Sequence, residues 1–224
     1  SEPSVGSNVR EVKTRAERHG DRIFVSGQKL WISNGAQSDF AIVVCNLDGG
    51  ISMVIVDRDK GGYESRELRK RGLVGASTCE LFFDRAETSA EHVLGNAGGG
   101  LFQTLKLFES ARVFVGLTSV GIAQAALECA VSYSKEREQH GKPIGGHQLI
   151  QGYLADMATH LDAARLLCQR GLQLLELGVR CDTQTSMAKW YATEMAVKVM
   201  PIPDGTTEIQ KLVIGRNLTG LNAF

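Results

Sequence analysis

The sequence predicts an α+β protein, an antiparallel β-barrel or sandwich followed by an antiparallel bundle of long α-helices. Two observations carry this. Up to about Asn96, short runs rich in Val, Ile and aromatic residues are punctuated by Gly, Asn and Asp. After "LGNAGGG" the apolar period lengthens to that of helices.

The strands come first. "DRIFVSGQKLWISNG", "DFAIVVCNL", "GISMVIVDR" and "CELFFD" each suit a pleated, half-buried surface. "LDGGIS" reads as the hairpin connection between the second and third. Strands this close together, with no helical pattern between them, suit a small barrel or sandwich. Helical spacing then runs over 101–138, 147–177, 183–200 and 206–218. Gly141, Lys142 and Pro143 break the first pair, and "LGVRCDT" joins the second helix to the third. Pro201 and Pro203 end that third helix, because proline lacks a backbone donor and disfavours helix at the residue before it. Two domains are expected, at 1–96 and 97–224, the second interrupted near 199–201.

Composition narrows the function. The 224 residues carry 25 Lys+Arg and 25 Asp+Glu, a formal net charge of zero, which argues against nucleic acid or an anionic membrane as partner. The apolar stretches read as short and interrupted, below the roughly 20 residues of a spanning helix. The polar first residues do not read as a signal peptide. Five scattered cysteines without a CxxC suit reduced thiols in a cytoplasmic protein, and no metal site is expected.

Taken singly, the chemical candidates are ambiguous. "SEPSVGS" supplies hydroxyls, an acid and a glycine, as ordinary turns do. "LWISNG" reads most simply as a core Trp before a hairpin turn. "KEREQHGKP" is a charged helix end, where Arg137 and Lys142 are able to meet a phosphate. Glu109 and Arg112, three apart, have the spacing of a helix-face pair. Asp204, in "PIPDGTT", either caps the following helix or is a base held out on a turn.

The order of these pieces resembles the acyl-CoA dehydrogenase family of flavoproteins. "SEPSVGSNVREVKTRAERHGDRIFVSGQKLWISNG" is similar to that family's TEP-x-x-GSD, K-T-x-A and G-x-K-x-W-I-T/S-N-G motifs. "EREQHGKPI" with "QLIQGYLADMA", and "PDGTTEIQKLVIGR", are similar to its later motifs. The likeness spans nearly the whole chain, which looks like the family's middle β domain and carboxy-terminal helical domain.

The resemblance implies FAD as cofactor and assembly as a homodimer or homotetramer, with an electron-accepting flavoprotein as a further partner. It places Ser1, Ser7, Trp31, Ser33, Arg137, Gln139 and Thr206 at the cofactor, and Arg112 and Gly205 on the substrate side. Asp204 stands at the position of the family's general base. The implied reaction converts an acyl thioester, on CoA or an acyl carrier protein, to the enoyl thioester. A carboxylate buried without a cation would have its pKa raised toward working pH, as a general base requires.

Departures keep two alternatives open, a flavin oxidase of the nitroalkane or acyl-oxidase kind and a non-catalytic or incomplete homologue. Asp204 replaces the usual Glu, and Ala111 fills the family's other base position. Val74 and Ala76 stand where the family has Arg and Ser, which hints at a carrier other than CoA. A G-G-x-G-Y loop and a V-E-R-x-x-R-D-A segment, which the family carries before its base, have no counterpart between Val199 and Pro201.

Overall fold

The structure, a computed structural model, describes residues 1–60 and 62–199. Two compact units divide the chain at Lys106/Leu107.

The first unit is built on a six-stranded sheet. Its strands are β1 (Arg15–His19), β2 (Arg22–Ser33), β3 (Phe40–Leu47), β4 (Gly50–Asp57), β5 (Glu64–Glu67) and β6 (Thr78–Ser89), in the order β4-β3-β1-β2-β6-β5. Every pairing is antiparallel except β1 with β3, which pair in parallel through Arg15↔Asn46 and Ala16↔Leu47. The β3–β4 connection is the tight hairpin expected at "LDGG", with Asp48 (φ 52°) and Gly49 (φ 81°) both left-handed, as a type I′ turn requires. Alternate residues face inward. Ile23, Val25, Val43, Cys45, Leu47, Val54, Val56, Cys79, Leu81 and Phe83 form the core of this unit.

The second unit is helical, with α1 (Gly100–Glu136) from Leu107 onward, α2 (Gln148–Glu176) and α3 (Asp182–Val199). Its core joins Val113, Val120 and Ala123 of α1 to Leu161, Ala164 and Cys168 of α2, and to Ala188, Ala192 and Met195 of α3. Gly116 lets α1 approach closely, since a Cβ there would lie 2.9 Å from Cys168 Sγ. Contacts run Val113–Gly171 and Gln124–Arg165 between α1 and α2, so these helices are antiparallel. The break at Gly141 to Pro143 is a small hairpin, β7 (Glu138–Gln139) and β8 (Lys142–Pro143), turning through His140 (φ 55°) and Gly141 (φ 76°).

One sequence expectation is corrected here. α1, at 37 residues, contains a stretch long and apolar enough by length and composition to cross a membrane. Its charged residues lie toward the ends, so the interruptions read in the sequence do not break that stretch. Four of the five cysteines are buried and Cys129 is exposed, all with free thiols.

Candidate functional site

The site grows out of two irregularities in the β2–β6 ladder. Between Val25↔Ala86 and Gly27↔Phe83 the extra residue lies on β6, where Arg85 takes φ 49°. Between Lys29↔Leu81 and Ile32↔Cys79 it lies on β2, where Trp31 takes φ 62°. A left-handed conformation costs a bulky L-residue about 1–2 kcal/mol. Bulges and such strained residues gather beside functional sites, where they re-aim a side chain. Here the bulge turns the indole outward, and Trp31 is 60% exposed. The reading of Trp31 as a core residue is therefore corrected.

Ser1 and Ser33 border the bulge along the backbone. The Ser1 carbonyl accepts from Leu30 N–H at 2.9 Å, inside the bulge, and Ser33 ends β2 opposite Thr78. Both serines are exposed. Glu2 and Val5 exchange backbone hydrogen bonds of 2.8 and 3.2 Å around Pro3 and Ser4, so "SEPSV" is indeed a turn. Ser7 follows, exposed in the bend before a short 3-10 helix, Val9–Glu11.

Beneath the exposed rim lies a buried polar cluster that the sequence reading missed. The Glu2 carboxylate accepts from Lys13 N (2.7 Å), Thr14 N (3.0 Å), Thr14 Oγ1 (2.6 Å) and Lys29 Nζ (2.7 Å). Lys29 Nζ also donates to Val44 O on β3 at 2.6 Å. Burial alone would raise the Glu2 pKa, but the hydrogen bonds from Lys29, Thr14 and the backbone outweigh it and bring it down to about 2. Burial holds the Lys29 ammonium below its ordinary pKa despite Glu2, and pushes the nearby Cys45 thiol up to about 11. The signal was present: Lys29 has the same parity along β2 as the inward-facing Ile23 and Val25.

The turn after Ser33 is clamped separately. Asn34 (φ 60°) donates its N–H to Ser77 O at 3.0 Å, and Arg58 donates to Ala36 O (3.1 Å) and Gly35 O. The Arg58 guanidinium stacks 4.9 Å from the Tyr63 ring centroid, and Tyr63 Oη lies 2.8 Å from Ser38 Oγ.

Residues placed in the helical unit are described within it. Arg137 and Gln139 lie exposed at the hairpin of β7 and β8, with Arg137 O accepting from Ile144 N–H at 2.7 Å. Arg112 is half-buried on α1. Among the described residues it forms no ion pair with Glu109, contrary to the pairing their spacing suggested; Glu109 instead lies near Arg180 and Cys181. Val74 and Ala76 are exposed in the loop between β5 and β6. Asp204, Gly205 and Thr206 lie outside the described residues.

An exposed indole in a segment that also presents the exposed Ser1 and Ser33 suits a flat, polar-edged ring, so the residues present fit a flavin. Comparison with known proteins decides the family. The model of the acyl-CoA dehydrogenase middle domain matches residues 1–86, and that of the acyl-CoA dehydrogenase C-terminal domain matches residues 98–202. The chain belongs to the acyl-CoA dehydrogenase family.

Its similarity within the family is broad. It is 34% identical to an acyl-CoA dehydrogenase of Bacillus subtilis, over 98% of this chain and 67% of that protein. The butyryl-CoA dehydrogenase structure from Megasphaera elsdenii superposes with a TM-score of 0.84 at 32% identity, over 94% of this chain and 55% of that one. A prolyl acyl carrier protein oxidase gives a TM-score of 0.84 at 26% identity, over 98% and 67%. Against several curated relatives the chain spans only about half of their length. The Bacillus alignment runs over 254 positions, more than the 224 residues of this chain, so some of that acyl-CoA dehydrogenase has no counterpart inside the aligned region.

Proposed function

We propose that the chain acts in the FAD-dependent α,β-dehydrogenation of an acyl thioester to the enoyl thioester. The observation that carries this reading is the bulge of β2, which holds the Trp31 indole exposed in the segment bordered by Ser1 and Ser33. When bound, FAD supplies the two-electron acceptor for the substrate's β-hydrogen. Trp31 offers the ring a flat apolar wall, and the Ser1 and Ser33 hydroxyls supply hydrogen bonds to its polar edge. Ser7 and Thr206 would hold the rest of the cofactor, while Arg137 and Gln139 would reach the FAD of a neighbouring subunit, with Arg137 meeting phosphate charge. Arg112 and Gly205 serve the substrate. The Asp204 carboxylate takes the α-proton, which a hydrogen-bonded thioester carbonyl makes more acidic. Homo-oligomers belong to this reading. Their support is the set of large apolar side chains exposed on the helices, among them Phe102, Phe114, Met187 and Trp190.

A carrier-protein thioester is a second reading of the substrate. Its support is the exposed pair Val74 and Ala76 and the likeness to a prolyl acyl carrier protein oxidase. Turnover of matched CoA and carrier-protein thioesters separates the two, and a clear preference for CoA ends the carrier reading.

The test is the visible spectrum of the purified protein with FAD, before and after anaerobic addition of an acyl thioester. A flavin band that bleaches supports dehydrogenation. Rapid oxygen consumption during turnover would move the assignment to an oxidase. A protein that takes up no FAD would overturn the proposal and favour a non-catalytic homologue.

A further inference from the structure

We propose that the buried pair Glu2–Lys29 is the positioning element of the Trp31 rim: it fixes the bulge that aims the indole, and so sets how well the rim receives the cofactor. This rests on the flavin reading above for its consequence, though not for its geometry.

Three segments meet at this pair. Glu2 belongs to the amino-terminal turn, Lys29 is the last regularly paired residue of β2 before the bulge, and Val44 lies on β3. Lys29 Nζ bonds to both of the others, at 2.7 and 2.6 Å, while the Glu2 carboxylate also grips the backbone entering β1 through Lys13 N and Thr14 N. The side chains of Lys29 and Glu2 are only 8% and 3% exposed. One residue from each partner then meets its neighbour directly, as the Ser1 carbonyl accepts from Leu30 N–H at 2.9 Å. The bulge is thus held from below by a charged pair and from the side by a main-chain bond. Trp31, the left-handed residue of this bulge, is left exposed.

Stability alone is a poor reason for such a pair. Two charges taken out of water recover their desolvation cost only with excellent geometry, and neutral replacements of similar volume are often no less stable. What a hydrogen-bonded pair supplies that apolar packing does not is a defined direction, here for the segments on either side of the bulge.

The experiment uses a Trp190→Phe background, which leaves Trp31 as the only indole of the two in the chain. Into it the double substitution Glu2→Gln with Lys29→Met is introduced, removing both charges together. Acrylamide quenching of Trp31 and the dissociation constant for FAD are measured alongside the melting temperature. The expected result is a melting temperature within about 4–8 °C of the parent, the span of a roughly 1 kcal/mol change in a small domain. Trp31 quenching should shift about twofold or more, and FAD affinity should fall about tenfold, as loss of a preorganised surface predicts. Unchanged quenching in a folded double variant overturns the proposal whatever the FAD affinity. Should the double variant fail to fold, Thr14→Val removes a single donor to Glu2 without stranding a charge, and must shift quenching in the same direction. A parent that binds no FAD refutes the functional reading and leaves the quenching comparison to decide the positioning role.

Discussion

Acid should draw stability out of the Glu2 cluster over a defined window of pH. The Glu2 carboxyl lies at about 2 in the folded chain against an ordinary value of 4.5. A depressed folded pKa means stabilisation that is complete above the unfolded value, and lost as pH falls from 4.5 through about 2. The gap corresponds to about 3 kcal/mol, an upper figure for one buried group. Lys29 pulls the other way, because burial disfavours its ammonium, so the pair as a whole contributes less than Glu2 does alone. The window between 4.5 and about 2 is that of Glu2. The assay is guanidinium unfolding followed by Trp31 fluorescence in Trp190→Phe, at steps between about pH 7 and pH 2.5, beside the same protein carrying Glu2→Gln. The parent should lose about 2–3 kcal/mol more than the variant across that range, with the two curves converging at the acid end. Parallel curves would refute the reasoning, and would mean that Glu2 is not held as a carboxylate by these donors.

Three further outcomes follow from the same unit and its helical neighbour. Trp31→Gly should stabilise the first unit by up to about 1 kcal/mol, by relieving the left-handed φ of 62°, while weakening FAD binding; denaturant midpoints and a flavin titration check both halves. Gly27→Ala should cost about 2–4 kcal/mol, because φ is +149° and the new Cβ would lie 2.7 Å from Thr14 Oγ1 and 2.8 Å from Thr14 Cα. Thermal unfolding measures it, and a neutral result would show that Thr14, just before β1, is less closely apposed to β2 there. Val113→Ala, in the core shared by the three helices, should cost about 2 kcal/mol of helical-unit stability, read by circular dichroism during denaturant unfolding.

Much of this was legible from residues alone, for reasons that can be named. The hairpin at Asp48 and Gly49 followed from two residues tolerant of positive φ between apolar runs. The three helices lie within a few residues of where the apolar period placed them, from Gly100, Gln148 and Asp182 onward. Periodicity reports burial, and burial is what holds these elements. The failures have a different origin. Pairing of β1 with β3 in parallel leaves no trace in local patterning, because parallel and antiparallel neighbours present the same alternation. Trp31 read as a core residue because an indole is mostly apolar; only the bulge against β6 and its φ of 62° show why it is exposed. Glu109 and Arg112 had the right spacing for a pair, yet among the described residues they form none, and Glu109 lies near Arg180, which is itself paired with Asp182. The residues assigned to the flavin were read from motif order, which no single residue among them carries.

The distribution of cysteines gives the molecule a built-in reporter. Cys129 is the exposed thiol, whereas Cys45 and Cys79 are buried in the sheet unit and Cys168 and Cys181 in the helical one. A maleimide added to the native chain should therefore attach first at Cys129. As denaturant opens the fold, further mass increments should arrive in pairs, one pair for each unit. Peptide mapping of those adducts would separate the unfolding of the sheet from that of the helices, without any engineered label.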